Sequence, residues 1–388
     1  MSKEVIVSDL NGVRCELLPL TYTRPVGALR VGIDTLAEKW GRLTGRDAAV
    51  EPEVEYLESI FGSPRAADGE DALRVAADVI ADAAIVEAVE ALPEGHTLCA
   101  GDTILARRGD GTAGNVEYAG EVRRTAHLYD IFLNNGDAIK ADFAAFARGV
   151  SQPLSATNTV IGSADDIFIA EGAKVEGAFI NTTAGPVYIG PDAEVMEGSM
   201  LRGPIAVCRH AVVNMGTKIY PGTTVGPWCK VGGELNNVVL QAYSNKAHDG
   251  FLGNAVIGEW CNIGAGAVAS NLKNDYTPIR LWNYPTGRFQ RTGLQFCGLI
   301  MGDHSKAGIN TMFNTATVLG VGVNIHGSGF PRNFVPSFSE GSTAGFTDVS
   351  MTKFFEIAGR MMARRGLSLT PDYERMFMAI RKAAEEFK

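Results

Sequence analysis

The chain has 388 residues, 46% of them hydrophobic and 20% charged, a balance typical of globular proteins with enough apolar material for two or three cores. No apolar run approaches the ~20 residues of a membrane span, and the opening MSKEVIVSD lacks the apolar core of a signal peptide. A net charge of −9 argues against a nucleic-acid or anionic-membrane partner, and six cysteines without a CxxC pair fit reduced thiols in a cytoplasm.

Residues 1–150 read as an α/β domain. A strand over Glu4–Ser8 leads into Asn11-Gly12 and LLPLTYTRPVGALRVGI (17–33). Helical material is expected at Asp34–Trp40, Ala72–Leu92 and Phe143–Arg148. No GxxxxGK[ST] phosphate loop occurs, and the GxG run at Gly320–Gly322 lies inside a repeat.

From Ile189, every sixth residue is aliphatic: Val195, Leu201, Val207, Val213, Ile219, Val225 and Val231 follow. Six matches neither the helical period nor the strand period of two. It fits a short strand plus a turn, three of which close a triangular coil that stacks on the next. The 45 glycines, many beside these aliphatics, supply the turns. The rhythm breaks at Gly232–Val256 and again from about Lys273 to Gly298, and both breaks predict extruded loops. The division is therefore 1–150 α/β, 151–349 β-helix and 350–388 helical, the last with one apolar face through Phe354, Ile357, Ala358, Met361 and Met362 and a second helix opening at Thr370-Pro371.

The stretch 233–274 carries one histidine, His248, predicted to lie in the first loop. Imidazole suits removal of a proton from an amine that attacks a thioester. Glu234, fourteen residues upstream, is placed to orient the ring, while Asn262 and Asn271 offer hydrogen bonds to a sugar or thioester carbonyl. His210, His304 and His326 read as structural or surface histidines, and Asp303 as a turn residue at a coil corner. The six histidines are too dispersed for a zinc hydratase of the γ-carbonic-anhydrase kind.

KAHDGFLGNAVIG…NIGAGAVASN resembles the KAxHLxYLGDAxIG…NIGAGTxxxN pattern of the bifunctional glucosamine-1-phosphate N-acetyltransferase / N-acetylglucosamine-1-phosphate uridylyltransferase family. The resemblance implies a left-handed parallel β-helix of hexapeptide repeats and acetyl-CoA as co-substrate. It puts the catalytic base on His248, its supporting carboxylate on Glu234, substrate contacts on Asn262 and Asn271, and a CoA contact on Ala265. Lys218 stands where the family has arginine, Asn236 and Thr277 where it has lysines, and Phe251 where it has tyrosine. Lys246 and Lys273 stand near the lost lysines as further substrate contacts. Arg14, LPLT (18–21), Arg24-Pro25, Arg30 and Lys39 resemble a shortened sugar nucleotidyltransferase signature without its leading glycines. With YSNKAHDGFLG they resemble the two-domain sugar nucleotidyltransferase-like proteins of Bacteroidetes over nearly the whole chain.

That resemblance implies a Rossmann-like nucleotidyltransferase domain, with Arg14, Arg24 and Lys39 on the nucleotide and Asp102 on Mg²⁺. It also implies a homotrimer acting on a sugar phosphate, an NTP and acetyl-CoA. N-acetylation of glucosamine 1-phosphate and uridylyl transfer from UTP are the expected reactions. The alternatives are nucleotidyl transfer alone, for example to a thymidylyl sugar, and a non-catalytic sugar-nucleotide-binding trimer.

Overall fold

A computed structural model describes residues 4–63 and 72–388. Strand β1 (Glu4–Ser8) is followed by helix α1 (Leu36–Thr44), β2 (Asp47–Val50), α2 (Glu55–Phe61), β3 (Leu73–Ala76), α3 (Ala83–Glu90), β4 (His96–Ala100), β5 (Thr103–Arg108), β6 (Gly114–Glu117) and α4 (Asp130–Phe146). The six strands form one Rossmann-like sheet in the order β2-β1-β3-β5-β4-β6. β1 pairs in parallel with β2 and β3, and β5 runs antiparallel to β3 and β4. α1 starts on a capping box, in which Thr35 Oγ1 accepts from Glu38 N and Glu38 accepts from Thr35 N, and it ends on left-handed Gly45.

Two helix boundaries differ from the sequence reading. The start of the Ala72–Leu92 stretch is strand β3, because Leu73, Val75 and Ala76 lie buried in the middle of the sheet; a short apolar run has no period that tells strand from helix. α4 begins well before Phe143. Its interior Asn135 and Gly136 are poor helix formers, yet both sit against the next domain.

From Thr159 onward the chain winds into a three-faced parallel β-solenoid. All eight aliphatics of the sixfold series are at most 2% exposed. They fall in register on successive faces: Leu201 pairs with Ile219, Val207 with Val225, and Val213 with Val231. The Gly232–Val256 break extrudes no loop. The coils there shorten instead: Ile219 pairs with Leu235 and Val225 with Leu240, 16 and 15 residues on, where the coil before takes 18 and the first coils 20 or 21. Strands Glu234–Leu240 and Phe251–Ile257 absorb the slip by running from the first face onto the second, each bending at a left-handed asparagine, Asn237 and Asn254. The later break does extrude a loop, and it carries the hairpin Arg280–Asn283/Arg288–Arg291.

The second face is apolar on both sides. Leu240, Ile257, Met301 and Leu319 point inward, while Val239, Val256, Ile300 and Val318 point outward into one core shared with the α/β domain. At the start of the solenoid, Phe168, Tyr188 and Ala206 of that face receive Ile139 and Phe143 of α4. The extruded hairpin joins the same core: Tyr284 packs edge-on to Tyr22, and Asn283 donates to Glu16 at 2.6 Å. Helices α5 (Met351–Ala363) and α6 (Pro371–Ala383) close the far end through Phe354 and Phe377, which pack on each other and on His304.

One ion-pair cluster fastens the two halves. The Arg24 guanidinium bonds Asp303, and its Nη1 reaches Glu259 at 2.7 Å. Asp303 also accepts from Thr23 Oγ1 and from Glu259 N, each at 2.8 Å. Burial works against the charge on Arg24, and the two carboxylates outweigh it, holding the guanidinium above its ordinary pKa. Asp303 stands at a coil corner as expected, but as a buried partner rather than a solvated turn residue. Arg24→Leu would leave that carboxylate buried without its cation. Urea unfolding should show a loss of about 3–5 kcal/mol, and a loss below about 1 kcal/mol would mean that the cluster does not hold the domains together.

Candidate functional site

His248 sits on the tight corner between the third and first faces, between strands Asn245–Lys246 and Phe251–Ile257. Its ring is exposed, and it has no side-chain hydrogen bond or ion pair among the described residues. The backbone beneath it is fixed. The Ala247 carbonyl accepts from Asn214 Nδ2 at 2.7 Å, the His248 carbonyl from Lys246 Nζ, and the Asp249 carbonyl from Gly266 N at 2.8 Å. Gly232 makes room for this corner, since a Cβ there would run into the Ala247 carbonyl of the next coil. An imidazole free to meet a ligand is thus mounted on three clamped peptides.

Glu234 and Lys218 lie beside this corner, in register with each other and with Phe251 on the first face. Glu234 N donates to the Gly250 carbonyl at 2.9 Å, which ties its strand to the His248 turn. Lys218 is exposed and Glu234 half-buried. Asn262 is exposed on the third face, one coil beyond Asn245. Asn271 Nδ2 donates to Asn254 Oδ1 at 2.8 Å, and Ala265 occupies the turn whose carbonyl accepts from Asn310 N. Lys273 reaches only the Pro278 carbonyl and Thr277 hydroxyl of its own loop, at 3.3 and 3.4 Å.

Lys246 lies inside the solenoid. It takes the inward position of the third-face column, in register with Val231, and is 1% exposed. The substrate contact expected for it is replaced by an internal one to the His248 carbonyl. Burial pulls its ammonium down to about 8.

In the α/β domain the expected cations separate. Arg14 is half-buried, with Nη2 on the Tyr56 hydroxyl at 2.7 Å. Arg24 and Lys39 are closed inside the fold: Arg24 holds Asp303 and Glu259, and Lys39 bonds Asp142, which also takes Arg42 at 2.7 Å. Neither reaches a surface where a triphosphate would lie, a correction that burial and carboxylate pairing impose. Asp102 is exposed on the β4–β5 turn, and among the described residues no cluster of three or more His, Cys, Asp or Glu side chains suits a metal.

The turn after β1 holds a feature that sequence reasoning missed. Asp9 accepts from Val13 N and Arg14 N, each at 2.9 Å. These amides occupy the place where a glycine-rich loop would present donors to a phosphate, and here the chain's own carboxylate takes them. Acidic Asp9 directly after the first strand, with Gly12 as the turn's single glycine rather than a glycine-rich run, was the available signal.

Residues 5–151 match the family model described as sugar nucleotidyl transferase. Among curated proteins, the bifunctional protein GlmU of Clavibacter sepedonicus is 34% identical over 119 residues, 28% of this chain and 24% of its own. GlmU of Corynebacterium glutamicum (strain R) is 29% identical over 169 residues, covering 40% of this chain and 30% of its own. The putative uncharacterized acetyltransferase YaiX of Escherichia coli (strain K12) is 27% identical over 135 residues, 34% of this chain and 58% of its own. The chain thus spans less than two thirds of the curated relatives it matches. Among solved structures, the polysialic acid O-acetyltransferase OatWY aligns with 50% of this chain and 85% of that one at 14% identity, with a TM-score of 0.18 that carries no argument. The chain is similar to GlmU proteins in part, and its N-terminal third is similar to sugar nucleotidyl transferases.

The placement of Lys246 makes a pH prediction. Its folded value of about 8 lies below the ordinary 10.5, so between those values the unfolded chain binds more protons and this residue makes stability rise with pH. That contribution is complete above the unfolded value and is lost as pH falls through about 8. Lys246→Met should remove it. The stability difference between mutant and wild type, from urea melts between about pH 8 and 9.5, should change by up to about 1.4 kcal/mol per pH unit. A pH-independent difference would place the ammonium in solvent.

Proposed function

We propose that the solenoid transfers an acetyl group from acetyl-CoA to the amine of glucosamine 1-phosphate, and that the α/β domain serves uridylyl transfer from UTP to the sugar 1-phosphate. The observation that carries the first half is the exposed, unpartnered His248 ring on a corner whose carbonyls are all held. Its free nitrogen takes a proton from the acceptor amine as the amine attacks the thioester carbonyl. The C–N bond forms, the C–S bond breaks, and the thiolate leaves as CoA. Glu234 supports the imidazolium from the neighbouring coil, while Lys218, Asn262 and Asn271 hold the sugar phosphate and Ala265 lines the path of the CoA arm. The fixed peptides around His248 hold its backbone in place, so that binding of the acceptor has only the ring itself to order.

The α/β half rests on the sugar nucleotidyl transferase match and on Arg14, the one expected cation still near the surface. The Asp9 contact favours a second reading of this half, a domain that binds a sugar nucleotide without turning it over, because its loop amides are already satisfied.

The first face supports a homotrimer. Ile161, Phe179, Met200 and Tyr220 lie along it with 40–49% exposure, and Met215 stands 71% exposed at its edge. A second copy of the chain laid on this row covers it and completes the site beside Lys218 and His248.

Two experiments test these readings. With glucosamine 1-phosphate, acetyl-CoA, UTP and Mg²⁺ supplied together, free thiol and pyrophosphate are followed separately. His248→Ala should cut thiol release by about 10²–10⁴-fold and leave pyrophosphate release from supplied N-acetylglucosamine 1-phosphate unchanged; unchanged thiol release sinks the transfer reading. By sedimentation, the wild type should have three times the 41.3 kDa chain mass. Met200→Glu should shift the population toward monomer, and a wild type that is already monomeric rejects the trimer.

A further inference from the structure

A cluster of cations lies away from the α/β domain, in a groove of about 490 Å³ between the end of α5 and the third face of the solenoid. Five cations line it, Lys230, Lys306, Arg360, Arg364 and Arg365, and no carboxylate does. In a protein of net charge −9, such a cluster needs a reason. Arg360 pairs with Glu356 on the outer side of the helix at 3.2 Å. The other four have no carboxylate partner among the described residues. Among the described residues Lys306 Nζ bonds the His304 carbonyl at 2.8 Å, and Arg365 bonds the Trp228 carbonyl at 3.4 Å with its guanidinium 6.0 Å from the Trp228 ring centre. Two buried polar atoms on the wall have no partner at all, Arg365 Nε and Asn245 Oδ1. Burial draws Lys306 down to about 8, so its charge is held at a cost that a nearby anion would relieve.

The shape narrows the ligand. The volume falls within the range of small-molecule sites. Tyr243 and Trp260 form one wall, stacked at 4.2 Å with their planes 2° apart, and both adopt left-handed backbone at the coil corner. Arginine forks and lysine ammonium groups facing each other across a gap match the oxygens of linked phosphates, and an aromatic wall beside them accepts a base or ribose.

We propose that this groove binds a diphosphate-bearing ligand, a nucleoside diphosphate or free pyrophosphate, held by Lys230, Lys306, Arg364 and Arg365 between the C-terminal helix and the solenoid. One edge of the groove is Ala247, the neighbour of His248, and another is Asn262. The ligand therefore lies against the flank of the corner proposed for acetyl transfer, yet its binding does not depend on that chemistry. The turn that ends α5 supplies two of the four cations, Arg364 and Arg365, which gives this helix end a role beyond closing the column.

The test titrates the full chain, without acetyl-CoA, with inorganic pyrophosphate and separately with UDP. Tryptophan fluorescence and calorimetry follow the binding at low and high salt. Saturable binding that weakens with salt is expected. Lys230→Glu and Arg364→Glu, both at exposed positions, should each weaken it by about tenfold or more with unchanged thermal melting. His248→Ala should bind as wild type does, so that failure of the transfer reading and failure of this one remain distinct. Arg288→Glu, on the distant hairpin, is the charge control. Tighter binding of UDP than of pyrophosphate identifies a nucleotide as the ligand, and equal binding identifies the diphosphate alone; either supports the site. Absence of saturable binding of both probes at millimolar concentration overturns the proposal, as does wild-type affinity in both groove variants.

Discussion

A solenoid strand that is apolar on both sides must be covered on the outside. The second face is built that way from Phe168 and Tyr188 at its start to Val318 near its end, except at Thr224, whose hydroxyl donates to the Gly32 carbonyl at 2.9 Å. Leaving this strip in water would forfeit roughly 25 cal/mol for each Å² of apolar surface, far more than a polar contact returns. The α/β domain, the extruded hairpin and both C-terminal helices all gather on it or at its end, and they share a continuous core with it. The polar groups at this seam are paired in detail. Asn135 accepts from Gly32 N at 2.6 Å and donates to the Gly222 carbonyl at 2.7 Å, while Gln241 exchanges two hydrogen bonds with the Arg30 backbone. Apolar area holds the domains together, and these bonds set their register.

The segment 17–33 takes on a different meaning in that setting. Its sequence resembles a nucleotidyltransferase signature, but its side chains face the solenoid or the domain core. Leu17, Leu20, Val26, Leu29 and Val31 are wholly buried, Thr23 and Arg24 grip Asp303, and Arg30 lies against Gln241. A strap of this kind serves the fold whether or not a nucleotide ever binds. Asp9, occupying the amides of the preceding turn, points the same way. A motif can survive for packing reasons after the chemistry it resembles has changed, which is why function must be argued from the site rather than from the fold.

The solenoid was readable because its signal is redundant. Each sixth residue must be an interior aliphatic, and eight in a row leave little room for another architecture. What escaped were the places where one coil departs from the rule. Coils of 15–17 residues look like an insertion when the period is followed in sequence, although in space they are a tightening. Lys246 occupies a column position that the period assigns to an aliphatic, and nothing local says that its ammonium turns toward the His248 carbonyl. Asp303 looked like any other turn residue because its partner lies 279 residues earlier. Period and composition report local geometry, whereas a buried charge pair depends on which distant segments meet.

Some of these departures share a location. The inward lysine, the clamped carbonyls and the free imidazole lie around the corner where the third face turns into the first, and the coil before it is shortened at the same corner, between Val231 and Leu235. On a three-sided column that corner is opposite the second face, so the α/β domain is as far from His248 as the cross-section allows. The two chemistries proposed for this chain would therefore not share one cavity, and an intermediate passing between them would leave one surface and reach another. The same separation frees the corner from the demands of domain docking. Its groups can stay unpaired because the stability they forgo is supplied on the opposite side, where apolar strip, strap and ion cluster coincide.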